Sequence, residues 1–208
     1  MDPIMKPHSS SKAFSLIELL IVISVIGILL AIAAPNVFSL LNAHTLTGEG
    51  TLLRNKLTLA QQKALSGNAD VEFRFFKMAD LENAESESQY RSFQLFMHNS
   101  VGEMEPITEL LRIKPPVYIN ERMSTLIEGG TASGKYEVTE GGKKVEREYK
   151  GFRFKPDGST DLGGRSSAGD TWYVVLVQGT ENLGGTLPNN YFVVQLDPYN
   201  GRVSEYRP

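Results

Sequence analysis

The chain has 208 residues, 41% of them hydrophobic and 22% charged, a balance that fits one folded domain with an appendage and excludes a wholly disordered protein. Its formal net charge of −3 is too mild to imply nucleic acid or an acidic membrane surface as a partner. There is no cysteine, which excludes a disulfide framework, a thiolate metal site and a cysteine nucleophile.

The first predicted element is an apolar run from Phe14 to Ala34 in which Glu18 is the only charged residue. As a helix rising ~1.5 Å per residue it would extend roughly 32 Å, close to the ~30 Å of a bilayer's hydrocarbon. Pro35 follows, where it bends or interrupts a helix. Lys6 and Lys12 precede the run and the next basic residue after it is Arg54, so the positive-inside tendency keeps the N-terminus cytoplasmic and exports the rest. Three readings stand at this point: a signal anchor, a cleaved signal peptide with Ala31-Ile32-Ala33 as its A-x-A site, or something that also explains Glu18. A carboxylate so close to lipid needs a role or an escape to the interface.

The stretch AFSLIELLIVISVIGILLAIAAP, Ala13 to Pro35, resembles the prepilin-type cleavage and methylation motif of type IV pilins and type II secretion pseudopilins. The resemblance implies a leader, residues 1–13, cut by a prepilin peptidase between Ala13 and Phe14, with Phe14 then N-methylated. Ala13 stands where the family usually has Gly. It further implies an assembly role for Glu18, whose carboxylate would pair with the new α-amine of a neighbouring subunit and cancel two charges that lipid disfavours. Other pilin or pseudopilin subunits, the peptidase and the inner membrane are the implied partners.

Beyond Pro35, Asn36 is expected to cap a resumed helix. Val37, Leu41, Gly48, Leu52, Leu53, Leu57, Ala60 and Ala64 then recur at helical spacing to about Leu65, with a local break expected near Thr47–Gly50 because Gly48 and Gly50 weaken a helix by ~1 kcal/mol each. Ser66-Gly67-Asn68 stops it. Alternation from Val71 to Phe76 predicts a half-buried strand, and Tyr90–Met97 and Ile107–Ile113 predict two more. Val117-Tyr118-Ile119 follows Pro115-Pro116. Lys135 to Lys155 predicts a hairpin turning at Gly141-Gly142, with a bulge at Gly151. Pro156-Asp157-Gly158 predicts a turn, Trp172–Val177 and Tyr191–Leu196 predict central strands, and Arg202–Tyr206 predicts a short final one.

The expected fold is therefore α+β: a long N-terminal helix, transmembrane in its first half, followed by an antiparallel β-sheet or sandwich domain in the manner of type IV pilins. The domains expected are a cleaved leader (1–13), a transmembrane assembly helix (14–34), its amphipathic continuation (35–66) and an exported β-rich domain (67–208). The segments TLLRNKLTLAQQKAL, VEFRFFK, YRSFQLF, GFRFKPDGSTDL and YFVVQLDPYNGRVSEYRP, in that order, resemble the family called Verru_Chthon cassette protein D. In layout they are also similar to minor pseudopilin H and FimT-like proteins.

Chemistry-bearing patterns are few. Gly129 to Lys135 has phosphate-loop spacing as far as the lysine, but Tyr136 replaces the Ser or Thr and the sequence after it is strand-like, so a loop is expected. His8, His44 and His98 share no metal-ligand spacing. No nucleophile–base constellation is evident, so no catalytic residue, cofactor or enzyme activity is assigned. The loop around Asp157 and Asp161, with Asp170 beyond, offers hard oxygens; some pseudopilins hold Ca²⁺ in such loops, but a plain turn is the expectation. Lys143, Lys144, Arg147, Lys150, Arg153 and Lys155 form the densest basic segment. The FimT-like resemblance makes it a DNA candidate, weighed below a solvated hairpin face. The acidic segment Asp80, Glu82, Glu85, Glu87 is expected in a solvated loop. The function expected is a minor pilin or pseudopilin subunit; the alternative is an anchored or secreted β-sandwich binding module that does not polymerise.

Overall fold

The computed structural model describes residues 15–79, 88–99, 101–163, 171–179 and 186–208, with only the backbone described at 33–39. The chain divides into two compact units, Met1–Leu41 and Asn42–Pro208. Helix α1, Leu16–Gly67, contributes to both. Its backbone stays helical at Pro35 and Asn36 and at Thr47–Gly50, so neither the resumed start at Asn36 nor the break at the glycines is observed. Two glycines cost about 2 kcal/mol in propensity. Burying several aliphatic side chains at ~1.5–3 kcal/mol each outweighs that.

The buried stripe of α1 consists of Leu46, Leu53, Leu57, Ala60 and Ala64, all fully enclosed. Leu46 takes the place expected of Leu41 and Gly48, both of which are exposed. Gly50 is in the helix for a packing reason: a Cβ there would lie 2.4 Å from the Phe192 ring. Asn68, with φ of 46°, ends the element.

The β-part holds two antiparallel sheets. The first contains β1 (Val71–Met78), β2 (Gln89–His98), β3 (Met104–Pro106), β4 (Leu111–Arg112), β6 (Ala132–Glu140) and β7 (Lys143–Phe154). Its order is β3-β2-β1-β7-β6, with β4 also on β2. The second has the order β10-β9-β8-β5, formed by β5 (Val117–Ile119), β8 (Trp172–Gln178), β9 (Tyr191–Leu196) and β10 (Val203–Tyr206). A 3-10 turn at Glu121–Met123 and the single-turn helix α2 (Thr125–Glu128) join β5 to β6. The α+β class with antiparallel sheets is as expected, and β8 and β9 are the interior strands of their sheet.

Three local expectations are corrected. First, β1 is buried on both faces rather than one. Val71, Phe73 and Phe75 join the main core with α1, β8 and β9, while Phe76 and Met78 join a second core with Phe96 and Val138. Second, the strand expected over Ile107–Ile113 is reduced to Leu111–Arg112. At Thr108 the side-chain Oγ1 accepts from Leu95 N–H at 3.1 Å, and the carbonyl accepts from Gln94 Nε2 at 2.8 Å, so side chains take over part of the ladder. Third, Gly151 is not a bulge: it pairs in unbroken register with Arg74 on one side and Ala132 on the other. Glycine is needed there because a Cβ would lie 2.3 Å from the Phe73 carbonyl oxygen. The turn of the β6–β7 hairpin is as expected, with φ of 54° at Gly141 and 81° at Gly142, the positive pair that matches strand twist.

Candidate functional site

Ser15 and Glu18 lie three apart, the spacing of a capping box, and this local signal positions the start of α1. Ser15 Oγ accepts from the Glu18 backbone N–H at 3.2 Å, and the Ser15 carbonyl accepts from Leu19 N–H at 3.2 Å. Glu18 is exposed in the first turn, where a carboxylate meets the positive end of the helix. From Leu16 to Ile32 every residue is exposed, and the side chains are apolar all round the helix, apart from Glu18, Ser24 and Gly27. Ser24 satisfies its hydroxyl within the helix by donating to the Leu20 carbonyl at 2.8 Å. A helix apolar on every side needs lipid or other protein around it. Among the described residues no helix is long and apolar enough to cross a membrane. The apolar stretch whose side chains are described, Leu16 to Ile32, rises roughly 25 Å. Ala13 and Phe14, the residues expected to be cleaved and methylated, lie outside the described residues.

The candidate oxygen ligands are committed elsewhere. Asp157 Oδ1 accepts from Ser159 N–H at 2.9 Å and from Ser159 Oγ at 2.6 Å, and these bonds hold its carboxyl below the usual range. Asp161 accepts from Arg153 N–H and from Thr131 Oγ1, each at 2.8 Å. Asp170 lies outside the described residues, as do His8 and the acidic segment from Asp80 to Glu87. Among the described residues no cluster of acidic or histidine side chains has a metal-binding arrangement.

The six cations of the basic segment do not form one strip. Strand alternation puts Lys143, Arg147, Arg153 and Lys155 on one side of β7 and its extension, and Lys144 and Lys150 on the other. Four of them already have partners. Lys144 pairs with Glu137 at 2.9 Å and Arg147 with Glu140 at 2.5 Å. Arg153 lies 3.4 Å from Glu72, and Lys150 donates to the Glu128 carbonyl at 3.3 Å. The phosphate-loop spacing also dissolves, since Gly129 ends α2 and Ala132 to Lys135 lie in β6. His44 is exposed, and His98 Nδ1 is 2.9 Å from the Gly102 carbonyl.

Two features went unread in the sequence. Arg74, 6% exposed, is held by Glu72 at 2.6 Å and lies over the rings of Phe96, Tyr149 and Tyr136, at 4.1, 4.3 and 5.1 Å from their centroids. Its only sequence signal is a lone Arg among aromatics in a strand. Gln61 on α1 donates from Nε2 to the carbonyls of Gly158 at 3.1 Å and Asn200 at 2.6 Å, clamping two turns that are far apart in sequence. Gly201 closes that contact, with φ of 65° and no room for a Cβ beside the Gly158 carbonyl.

Against known families, the model of the prokaryotic N-terminal methylation motif matches residues 8–34. That span takes in Ala13, Phe14 and Glu18 and stops just before Pro35. The chain thus carries a prepilin-type methylation motif at the head of an α+β fold. No curated protein matches it. Two solved structures of the minor pseudopilin EpsH from the type II secretion system of Vibrio cholerae are similar, each with a TM-score of 0.43. Identities are 9% and 10%; the matches cover 78% and 79% of this chain and 97% and 95% of those chains. A TM-score of 0.43 is too low to carry a conclusion about this chain.

Proposed function

We propose that the chain is a structural, non-enzymatic subunit of a type IV pilus or type II secretion-type pseudopilus, in a minor rather than bulk-filament position. A prepilin peptidase cuts between Ala13 and Phe14 and Phe14 is N-methylated. Phe14–Ala34 anchors the chain in the inner membrane, N-terminus cytoplasmic, and Pro35 bends the helix beyond the span. The β-rich domain is exported to the periplasm before assembly into the filament. Glu18 pairs with the terminal amine of an adjacent subunit and sets the axial register of packed helices. The minor position is inferred from a β-domain larger than a simple filament subunit needs. The Verru_Chthon cassette protein D family is the finer assignment within this class.

One observation carries the reading. The methylation motif falls on a helix that is exposed and apolar on every side and bears a single carboxylate. Mass spectrometry of the native N-terminus tests it, the expected product being N-methyl-Phe14. A chain that retains its first thirteen residues would refute it. The Glu18→Ala variant is expected to be cleaved normally and to be lost from filaments.

A second reading has the Ser15–Glu18 cap behind it. Capping gives Glu18 a purely local role, which suits an anchored β-module that never polymerises. On that reading Glu18→Ala leaves localisation and partners unchanged. Filament incorporation therefore separates the two.

A further inference from the structure

The strand β6, Ala132–Glu140, ends the first sheet, with β7 on one side and, among the described residues, no strand on the other. The other edge strands are short: β3 and β5 have three residues each, β4 two and β10 four, against nine in β6. Neither a proline nor a bulge interrupts β6, which pairs with β7 in unbroken register.

The Gly141-Gly142 turn fixes which backbone groups are free. A two-residue turn with both φ positive is closed by a hydrogen-bonded pair, here Glu140 with Lys143. Alternation then points the N–H and C=O of Val138, Tyr136 and Gly134 towards β7, and those of Ser133, Lys135, Glu137 and Thr139 outward. These four residues are exposed, and among the described residues their outward backbone groups have no hydrogen-bond partner. Such an edge accepts an extended strand.

The charges along β6 specify that strand. A second β6 running antiparallel must bring outward groups to outward groups, so its register slides in steps of two residues. Centred on Lys135, the pairing sets lysine against lysine; centred on Glu137, it sets glutamate against glutamate. Centred on Tyr136, it sets Lys135 of each copy against Glu137 of the other, Ser133 against Thr139, and Tyr136 against Tyr136. Opposite charges and aromatic pairs are favourable across strands, and like charges directly opposite are not. Within one copy Lys144 is 2.9 Å from Glu137 and Lys135 is 3.5 Å from Glu146. The Tyr136-centred register therefore continues a row of alternating sign from one hairpin into the next. Exposed ion pairs add little affinity, so they select the register while the ladder supplies the attraction.

Space exists for this strand. The edge at Tyr136, Glu137 and Thr139 borders a cleft of about 640 Å³ that Pro106, Glu109 and Leu110 also line. In the same register the second copy brings Gly134 and Ser133, two of its smallest residues, opposite Val138 and Thr139.

We propose that β6 is a self-association edge, joining two copies of the chain about a two-fold axis through Tyr136 into one continuous sheet. This contact lies in the β-part and goes beyond the filament reading. Glu18→Ala is expected to leave it intact, so the two can fail separately.

Sedimentation velocity of the full chain in detergent, at well under one chain per micelle, tests it. The parent chain is expected to dimerise. Lys135→Glu sets two carboxylates against each other in both charged pairs, and Glu137→Lys sets two ammonium groups there; each weakens dimerisation by about tenfold or more. Mixed in equal amounts, these two variants carry complementary charges at both pairs and are expected to bind each other more tightly than either binds itself. Lys135→Pro deletes one outward N–H and leaves the β6–β7 ladder in place, so it is expected to abolish the dimer without lowering the unfolding temperature. A monomeric parent chain, a dimer that Lys135→Pro or the charge reversals leave unchanged, or a mixture no tighter than its components overturns the proposal.

Discussion

From Leu16 to Ile32, α1 shows apolar side chains on every side, and all are exposed; from Leu46 to Ala64 it shows one apolar stripe, and that stripe is fully buried. Both stretches are rich in the same aliphatic residues. The later stretch is stabilised by contacts that the chain itself supplies, with Phe73, Phe152, Trp172 and Phe192 in the same core. A helix apolar on every side, like the earlier one, gains from lipid or from other helices around it. One helix thus carries two patterns, and its residues have to be judged by which one they belong to.

The largest effect that tests this contrast comes from truncating one aliphatic side chain in each stretch. Leu57→Ala is expected to lower unfolding stability of the full chain by about 2–5 kcal/mol in urea. Ile21→Ala should stay within ~0.5 kcal/mol in the same titration. Equal losses would break the distinction.

Glycines sharpen the contrast within the packed stretch. Gly50→Ala is expected to cost about 1–3 kcal/mol, because Phe192 must move, despite alanine's better helix propensity. Gly48→Ala meets nothing within 4 Å and is expected to gain up to ~1 kcal/mol. Thermal denaturation of the pair gives shifts of opposite sign.

Gln61→Ala removes two hydrogen bonds to loop carbonyls and is expected to cost about 1–2 kcal/mol, with faster amide exchange in the Asp197–Gly201 turn. The smallest effect is spectroscopic. Tyr90 is pushed up to about 12, first by burial and then by the charges of Glu121 and Glu148. Its stabilisation is complete below the ordinary tyrosine range, near 10, and is lost as pH rises towards 12. An ultraviolet titration should show a tyrosine that ionises late, absent in Tyr90→Phe.

Much of the domain was legible because turns and alternation are local. The paired glycines at 141 and 142 announce a hairpin, and the apolar runs at Trp172 and Tyr191 mark interior strands. The candidate site was legible for the same reason, since Ser15, Glu18 and the apolar run are adjacent in the chain. What was misread depended on distant partners. Gly151 reads as a bulge until β1 and β6 are seen on either side of it, and Gly48 reads like Gly50 until Phe192 is placed over one of them.

By itself, the sequence determined that residues 14–34 are apolar, bear one carboxylate and follow a segment that carries Lys6 and Lys12, since hydropathy and charge belong to residues and not to their contacts. Only the tertiary structure decided that β1 is enclosed on both faces, that six cations divide between two sides of a strand, and that Glu49 is buried. The physical reason is that burial and pairing are set by which segments meet across the sheets and the helix, and linear order leaves those meetings open.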